Sequence, residues 1–361
     1  MAIFMVTNEP SSEATEIPSE VFTKIKTLFT SLVRADPQAS NQQLKEYLLV
    51  EMNRDSKGIN QQQIEAIFQR LSHDSGNQYV IVNGKKEYLD ASNGLLDLSE
   101  KGISNLAEID GFNEIKNVKI LFLKNNKLTS IEGIQNFPQL EQLDLSQNKI
   151  SNIKSLSHLK SKHLKILWLG CNEISRIEGL ENFDLESLEL SRNKIPRIEN
   201  LDHMKTLREL FLSNNKITKI EGLETLVNLE RLHLSDNNIS KIEGLDALTN
   251  LKSLHLSSNP IRKIENLDAN TKLERLFMAY TDISRIENLD HLTNLKTLRL
   301  EKSNITRIEG LGKLVKLVEL FFYNRNETKN IEMDTHVNYN DYGEDNAYAQ
   351  AVVKYCQDHN V

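Results

Sequence analysis

Apolar positions along most of this chain repeat in one pattern. The segment Leu207-Arg-Glu-Leu210-Phe-Leu212-Ser-Asn-Asn215-Lys-Ile217-Thr-Lys-Ile220-Glu-Gly-Leu223 recurs, with its first leucine matched at Leu229, Leu251, Leu273, Leu295 and Leu317, each 22 residues after the last. Upstream, Leu185, Leu164, Leu140 and Val118 hold the same place at spacings of 22, 21, 24 and 22, so the irregular lengths gather near residues 158–163. A degenerate first unit surrounds Leu96, Leu98 and Ile103. The count is about ten or eleven units, well above the three or so that a stacked repeat needs.

Each place in the unit predicts an element. Leu-x-Leu, as in Leu210 and Leu212, alternates at period two and predicts a short strand with its leucines in the core. Strands of successive units then pair in parallel. The asparagine three residues on (Asn126, Asn148, Asn172, Asn193, Asn215, Asn237, Asn259) is expected to turn inward. There its amide, both donor and acceptor, satisfies loop backbone groups that stacking buries. Isoleucines such as Ile217 and Ile220 fill the remaining core. Glu221-Gly222-Leu223 reverses the chain on the convex side, where 22 residues leave room only for a turn or a 3₁₀ segment. Thr281 and Ser303 stand in the asparagine place of two late units. Their hydroxyls reach fewer backbone groups, which predicts slightly looser packing.

Side chains alternate along a strand, so the residue between the two leucines faces the concave side. Down the units that place reads Phe122, Asp144, Trp168, Glu189, Phe211, His233, His255, Phe277, Arg299 and Phe321. Rings and charges on a solvated surface suit protein recognition, whose strongest contacts favour Trp, Tyr and Arg. These ten residues are the candidate partner-binding site. A taste of strands for aromatics would account for single rings only. His233 and His255 are equivalent in adjacent units and so could touch. Two imidazoles make a poor metal site, and no metal or cofactor is expected. A pair charging near pH 6 and weakening binding is the expected behaviour of two ordinary histidines. The following small residues (Ser146, Ser191, Ser213, Ser235, Ser257) are assigned no role.

The unit resembles the 22-residue leucine-rich class typified by the leucine-rich regulatory subunit of type 1 protein phosphatase. Its tail, Arg/Lys-Ile-Glu-Gly/Asn-Leu, stands here at Arg176 to Leu180, Arg197 to Leu201, Lys219 to Leu223, Lys241 to Leu245, Lys263 to Leu267, Arg285 to Leu289 and Arg307 to Leu311. The resemblance spans residues 95–324, about two-thirds of the chain. It implies an α/β repeat solenoid, a leucine-rich-repeat horseshoe with a parallel concave sheet. It also implies that Asp144, Trp168, Glu189 and Phe211, similar to that subunit's acid–aromatic ladder, contact a phosphatase catalytic subunit. His233, His255 and Arg299 do not continue the likeness. The class includes bacterial surface invasion proteins, so a different partner stays open.

The ends differ from the repeat. Residues 1–19 read as a polar, disordered lead. Residues 20–94 read as a helical N-terminal unit or cap, with helical spacing over 20–34, 41–53 and 60–72. Asn83-Gly84 then predicts a hairpin between Gln78–Val82 and Lys85–Leu89. Three helices and a hairpin follow the order of a winged helix, which would mean DNA binding. Residues 1–90, however, hold nine Lys/Arg against twelve Asp/Glu, and a DNA reader carries a basic face. Asn53 to Gly58 lacks the ligands of a calcium loop at its later places. Residues 325–361 read as a C-terminal cap, with a helix over Asn346 to Gln357 presenting Ala347, Ala351, Val352 and Tyr355.

Charge and composition narrow the partner. A formal charge of −7 and a pI of about 5.8 argue against nucleic-acid or anionic-membrane binding. The two cysteines, Cys171 and Cys356, form no framework and suit a reducing compartment. No stretch is apolar enough to span a bilayer. The N-terminal run Met1 to Val6 is too short for a signal core. The expected location is cytoplasmic, with the nucleus or export as an effector as alternatives. No phosphate loop, zinc-protease, nucleophile-elbow or Cys-x-x-Cys motif occurs, so no catalytic residues are expected. The sequence predicts a protein-interaction scaffold or regulatory subunit, monomeric by itself. The alternatives are a microbial host-interaction protein using the same face, and a DNA-binding regulator through residues 20–90.

Overall fold

The computed structural model describes residues 78–321 and 346–360. Strands β1 (Tyr79–Val82) and β2 (Lys85–Tyr88) come first and pair antiparallel about Asn83-Gly84. Both turn residues have positive φ, 50° and 75°, the backbone that a tight hairpin demands and that Asn-Gly adopts cheaply. The helices expected over 20–34, 41–53 and 60–72 lie outside the described residues. So do the lead 1–19 and residues 322–345 before the C-terminal helix.

Eleven three-residue strands, β3 (Leu95–Asp97) through β13 (Glu319–Phe321), then form one sheet in sequence order. All pairings are parallel and join equivalent residues, as in Leu188↔Leu210↔Leu232. The register follows from burial: the central leucine of every strand from β3 to β13 is buried, and a one-residue slip would expose the whole row. Leucines and isoleucines of all units join one continuous core. Each contributes about 1.5–3 kcal/mol on burial. The expected short 3₁₀ segments appear at Leu106–Glu108, Ile134–Asn136 and Lys154–His158, with plain turns in later units.

The ends of the described solenoid are covered. Val80, Val82 and Leu89 of the hairpin join the solenoid core, and Ile81 bridges to Asp110 through two backbone bonds. At the far end, helix α1 (Asn346–His359) buries Tyr348, Val352 and Cys356 against the same core. Those three are spaced i, i+4, i+8. The buried face is therefore rotated from the expected one, and Ala351 and Tyr355 are only half-buried. Gln350 and Gln357 donate their side-chain amides to the carbonyls of Leu317 and Gly312, tying the helix to the last unit's backbone.

The inward asparagines form a ladder. Asn237 is representative: its Oδ1 accepts from Ile217 N at 3.0 Å, and its Nδ2 donates to Leu212 O and Leu234 O, each at 3.0 Å. One side chain thus ties its own unit to the previous one. The residue before each ladder asparagine is left-handed, as at Asp236 with φ 55°, and this reversal swings the amide inward. Thr281 and Ser303 are fully buried, so the units holding them are no looser by exposure. Each hydroxyl donates to one carbonyl, Met278 O and Leu300 O, where an asparagine reaches two and accepts besides.

One buried polar group sits in the wrong place for the repeat. Asn270 occupies the site of Leu226, Leu248, Leu292 and Leu314, wholly buried. Its Nδ2 donates to Leu245 O and Leu248 O, while its Oδ1 has no partner. Both carbonyls already accept backbone N–H groups, from Leu248 and Leu251, so the amide adds little. A buried unsatisfied acceptor costs about 1–3 kcal/mol. Asn270→Leu is therefore expected to stabilise the fold by about 1–2 kcal/mol, read as a higher urea midpoint. A lower midpoint would show that the amide is needed for packing.

Candidate partner-binding surface

The same pleat that buries the leucines sends the residues between them to the opposite face of the sheet. All ten candidates, Phe122 to Phe321, sit at the third place of strands β4 to β13, and each is half-buried. Parallel register lines them up in one row. Neighbouring strands lie about 4.8 Å apart, so side chains in the row touch.

Two regimes appear along it. In the first half, acids alternate with rings. Phe122 and Trp168 meet edge to face across Asp144, with centroids 6.3 Å apart. Asp144 and Glu189 each accept a hydrogen bond from the N–H two residues on, at 2.8 and 2.7 Å, so these acids also close the turn after their strands. Burial raises the pKa of Glu189, opposed by the hydrogen bonds from Ser191. Its carboxylate lies close against Gly170: a Cβ there would fall 2.8 Å from Glu189 Oε1, so the carboxylate takes the space that a side chain at this place would need.

In the second half the rings become continuous. Phe211 meets His233 at 4.7 Å, His233 stacks on His255 at 3.7 Å, and His255 lies 4.1 Å from Phe277. The Arg299 guanidinium covers Phe321 at 4.4 Å and reaches Phe277 at 5.8 Å. The expectation that the two histidines charge near pH 6 is corrected. Burial, with Arg231 and Arg275 close by, lowers His233 to about 4. Burial, His233 and Arg275 lower His255 to about 3. Both rings are therefore neutral at pH 5.5 as well as at 7.5. Their near-parallel stacking, 18° between planes, also stops their nitrogens converging on one ion.

Sequence reasoning missed a second row. The first residue of each strand faces the same way as the third, by the same alternation. That row contributes Glu209, Arg231, Arg275 and Glu319, and Asp97 extends the first row to β3. The 22-residue period, applied two places earlier, would have found them. Just outside it runs a line of alternating charge, with ion pairs Lys119–Glu141, Lys165–Glu186, Arg208–Glu230, Lys252–Glu230 and Lys296–Glu274 at 2.7–3.8 Å. These groups are exposed or half-exposed, and each such pair is worth little alone.

Repeats in parallel register, an inward asparagine ladder and a one-sided sheet together define a leucine-rich-repeat solenoid. The comparisons agree with this class. The family model described as "Leucine Rich repeats (2 copies)" matches residues 116–158, 138–182, 184–225 and 227–269. An internalin from Listeria monocytogenes is similar in structure, with a TM-score of 0.54 and 26% identity over 64% of this chain and 74% of that one. A leucine-rich-repeat protein of Leptospira interrogans is similar in fold, with a TM-score of 0.54 and 24% identity over 63% of this chain and 66% of that one. No match is found among curated proteins. No helix among the described residues is long and apolar enough to cross a membrane.

Proposed function

We propose that the chain is an interaction scaffold or regulatory subunit that grips a folded protein on its concave face. The observation that carries this reading is the row of half-exposed rings and charges, Phe122 to Phe321, held in register on one sheet face. Nothing in the stacking of the leucine core calls for Trp168 or Phe211 there. Rings left half in water, beside acids, suit burial against a partner. No catalytic step is assigned to the chain. A cytoplasmic setting goes with this reading, supported by two cysteines that form no disulfide, Cys171 and Cys356.

The partner proposed is a type 1 phosphatase catalytic subunit, supported by the acid–aromatic order Asp144, Trp168, Glu189, Phe211. Co-purification with that subunit tests it. The double variant Trp168→Ala with Phe211→Ala is expected to weaken retention by about 100-fold, the loss of one strong contact or two moderate ones. Its thermal midpoint should stay within about 3 °C of the parent's, because neither ring fills the core. Full retention by the double variant would remove this face from the interaction. A second reading is a microbial host-interaction protein using the same surface, favoured by the likeness to the Listeria internalin. Failure of the unaltered chain to retain the phosphatase subunit, with capture of a host protein that the double variant loses, would select it.

A further inference from the structure

The sheet face is electrically divided. At the first and third places of strands β3 to β8 stand four acids, Asp97, Asp144, Glu189 and Glu209, and no cation. At the same places of β9 (Arg231–His233), β10 (Ser253–His255), β11 (Arg275–Phe277) and β12 (Thr297–Arg299) stand three arginines and no acid, and β13 adds one acid, Glu319, whose Oε2 accepts from Thr297 Oγ1 at 3.0 Å. Arg231 is paired across the boundary with Glu209. Arg275 is exposed and makes no ion pair among the described residues; it donates one long hydrogen bond, Nε to Ser253 Oγ at 3.5 Å. Arg299 lies 3.7 Å from Glu301, and its Nε is buried without a partner. The two neutral histidines add ring surface between these arginines and no compensating charge.

The shape is as specific as the charge. From Phe211 to Phe321 the ring row crosses five strand spacings, about 24 Å. A helix of about 16 residues has that length. Ser213, Ser235 and Ser257 flank one side of the row with little bulk, leaving room for a backbone to approach. Arg275 flanks the other side. Arg275 and Arg299 stand on adjacent strands, about 4.8 Å apart along the row, which matches acids three residues apart on a helix.

We infer that the second half of the concave face receives an amphipathic helix of the partner, its apolar stripe on the ring row and its acidic flank on Arg275 and Arg299. This rests on the concave face being the binding surface and adds the kind of element that docks there and its polarity. The partner helix brings the carboxylates that Arg275 lacks, and its apolar stripe covers rings that water now touches.

The test uses the full chain and two synthetic probes. One is a fluorescent 16-residue helical peptide with leucines along one face and glutamates on the flank. The other carries lysines in place of the glutamates. The glutamate peptide is expected to bind at least about tenfold more tightly than the lysine peptide in fluorescence anisotropy, and Arg275→Glu should abolish that preference. Arg275 is exposed, so the thermal midpoint of the variant should match the parent's. Equal binding of both peptides, tighter binding of the lysine peptide, or an unchanged preference in Arg275→Glu overturns the inference. If the probes fail while retention of a folded partner still depends on Trp168 and Phe211, the inference falls and the concave-face reading stands.

Discussion

Replacing Asn237 by alanine is expected to cost about 2–3 kcal/mol, a large loss for a single change. The side chain satisfies three buried backbone groups in two units: Ile217 N, Leu212 O and Leu234 O. Alanine leaves the Ile217 N–H buried with no acceptor and removes a donor from both carbonyls. Each unmet buried group costs about 1–3 kcal/mol. Both carbonyls keep a second donor, Leu212 O from Asn215 Nδ2 at 3.1 Å and Leu234 O from Asn259 Nδ2 at 2.9 Å, so the Ile217 N–H is the one group left wholly unmet. Asn237→Thr should lose less, because a hydroxyl at this place can still donate to the carbonyl three residues back, as Thr281 does to Met278 O at 2.8 Å. Urea unfolding followed by circular dichroism measures both. A loss under about 1 kcal/mol for alanine would mean that water or backbone relaxation replaces the amide.

The ladder also shows why the fold was legible from residues alone. A 22-residue period with leucines at fixed places leaves few options, because each unit must bury the same stripe against the next. The strand at Leu210 and Leu212, the inward asparagine and the Asn83-Gly84 hairpin each rest on a local rule that tertiary context had no reason to override. The C-terminal helix runs two residues past the expected Gln357, to His359, and the expected face is only partly the buried one, with Val352 in the core. Tyr348 and Cys356 are buried more deeply than the expected Ala351 and Tyr355, since which stripe is buried depends on where the last unit leaves its open edge. That edge is set by Leu311, Gly312 and Leu317, far away in sequence.

The candidate surface was half legible. Periodicity alone put Trp168, Phe211 and their equivalents on one row. It did not give the charge division, because the first-place residues Arg231 and Arg275 look like ordinary polar filler in their own units. Nor did it give the state of the histidines. Sequence supplies two imidazoles with an ordinary pKa; burial between two phenyl rings and two arginines turns them into neutral stacking surface. Both omissions have one cause. They belong to the packing of side chains across units, and no single unit contains it.

The convex side carries the second large effect. Gly244→Ala is expected to cost about 3 kcal/mol. Gly244 has φ 68°, where an alanine pays about 1–2 kcal/mol in backbone strain. Its Cβ would also fall 2.5 Å from Ile220 O of the preceding unit. Equivalent places hold either glycine or asparagine, and the asparagines explain the choice. Asn200, Asn266 and Asn288 are left-handed too, and each Nδ2 donates at 2.7 Å to the carbonyl of the matching isoleucine: Ile177, Ile242 and Ile264. The place therefore faces a carbonyl and accepts either no side chain or one that can donate to it. Alanine does neither. Gly244→Asn should recover at least half of the alanine loss, because asparagine tolerates this backbone and offers the missing donor. Should alanine and asparagine prove equally harmful in urea unfolding, the carbonyl contact would not be what selects the residue, and crowding by the Cβ alone would account for the glycine.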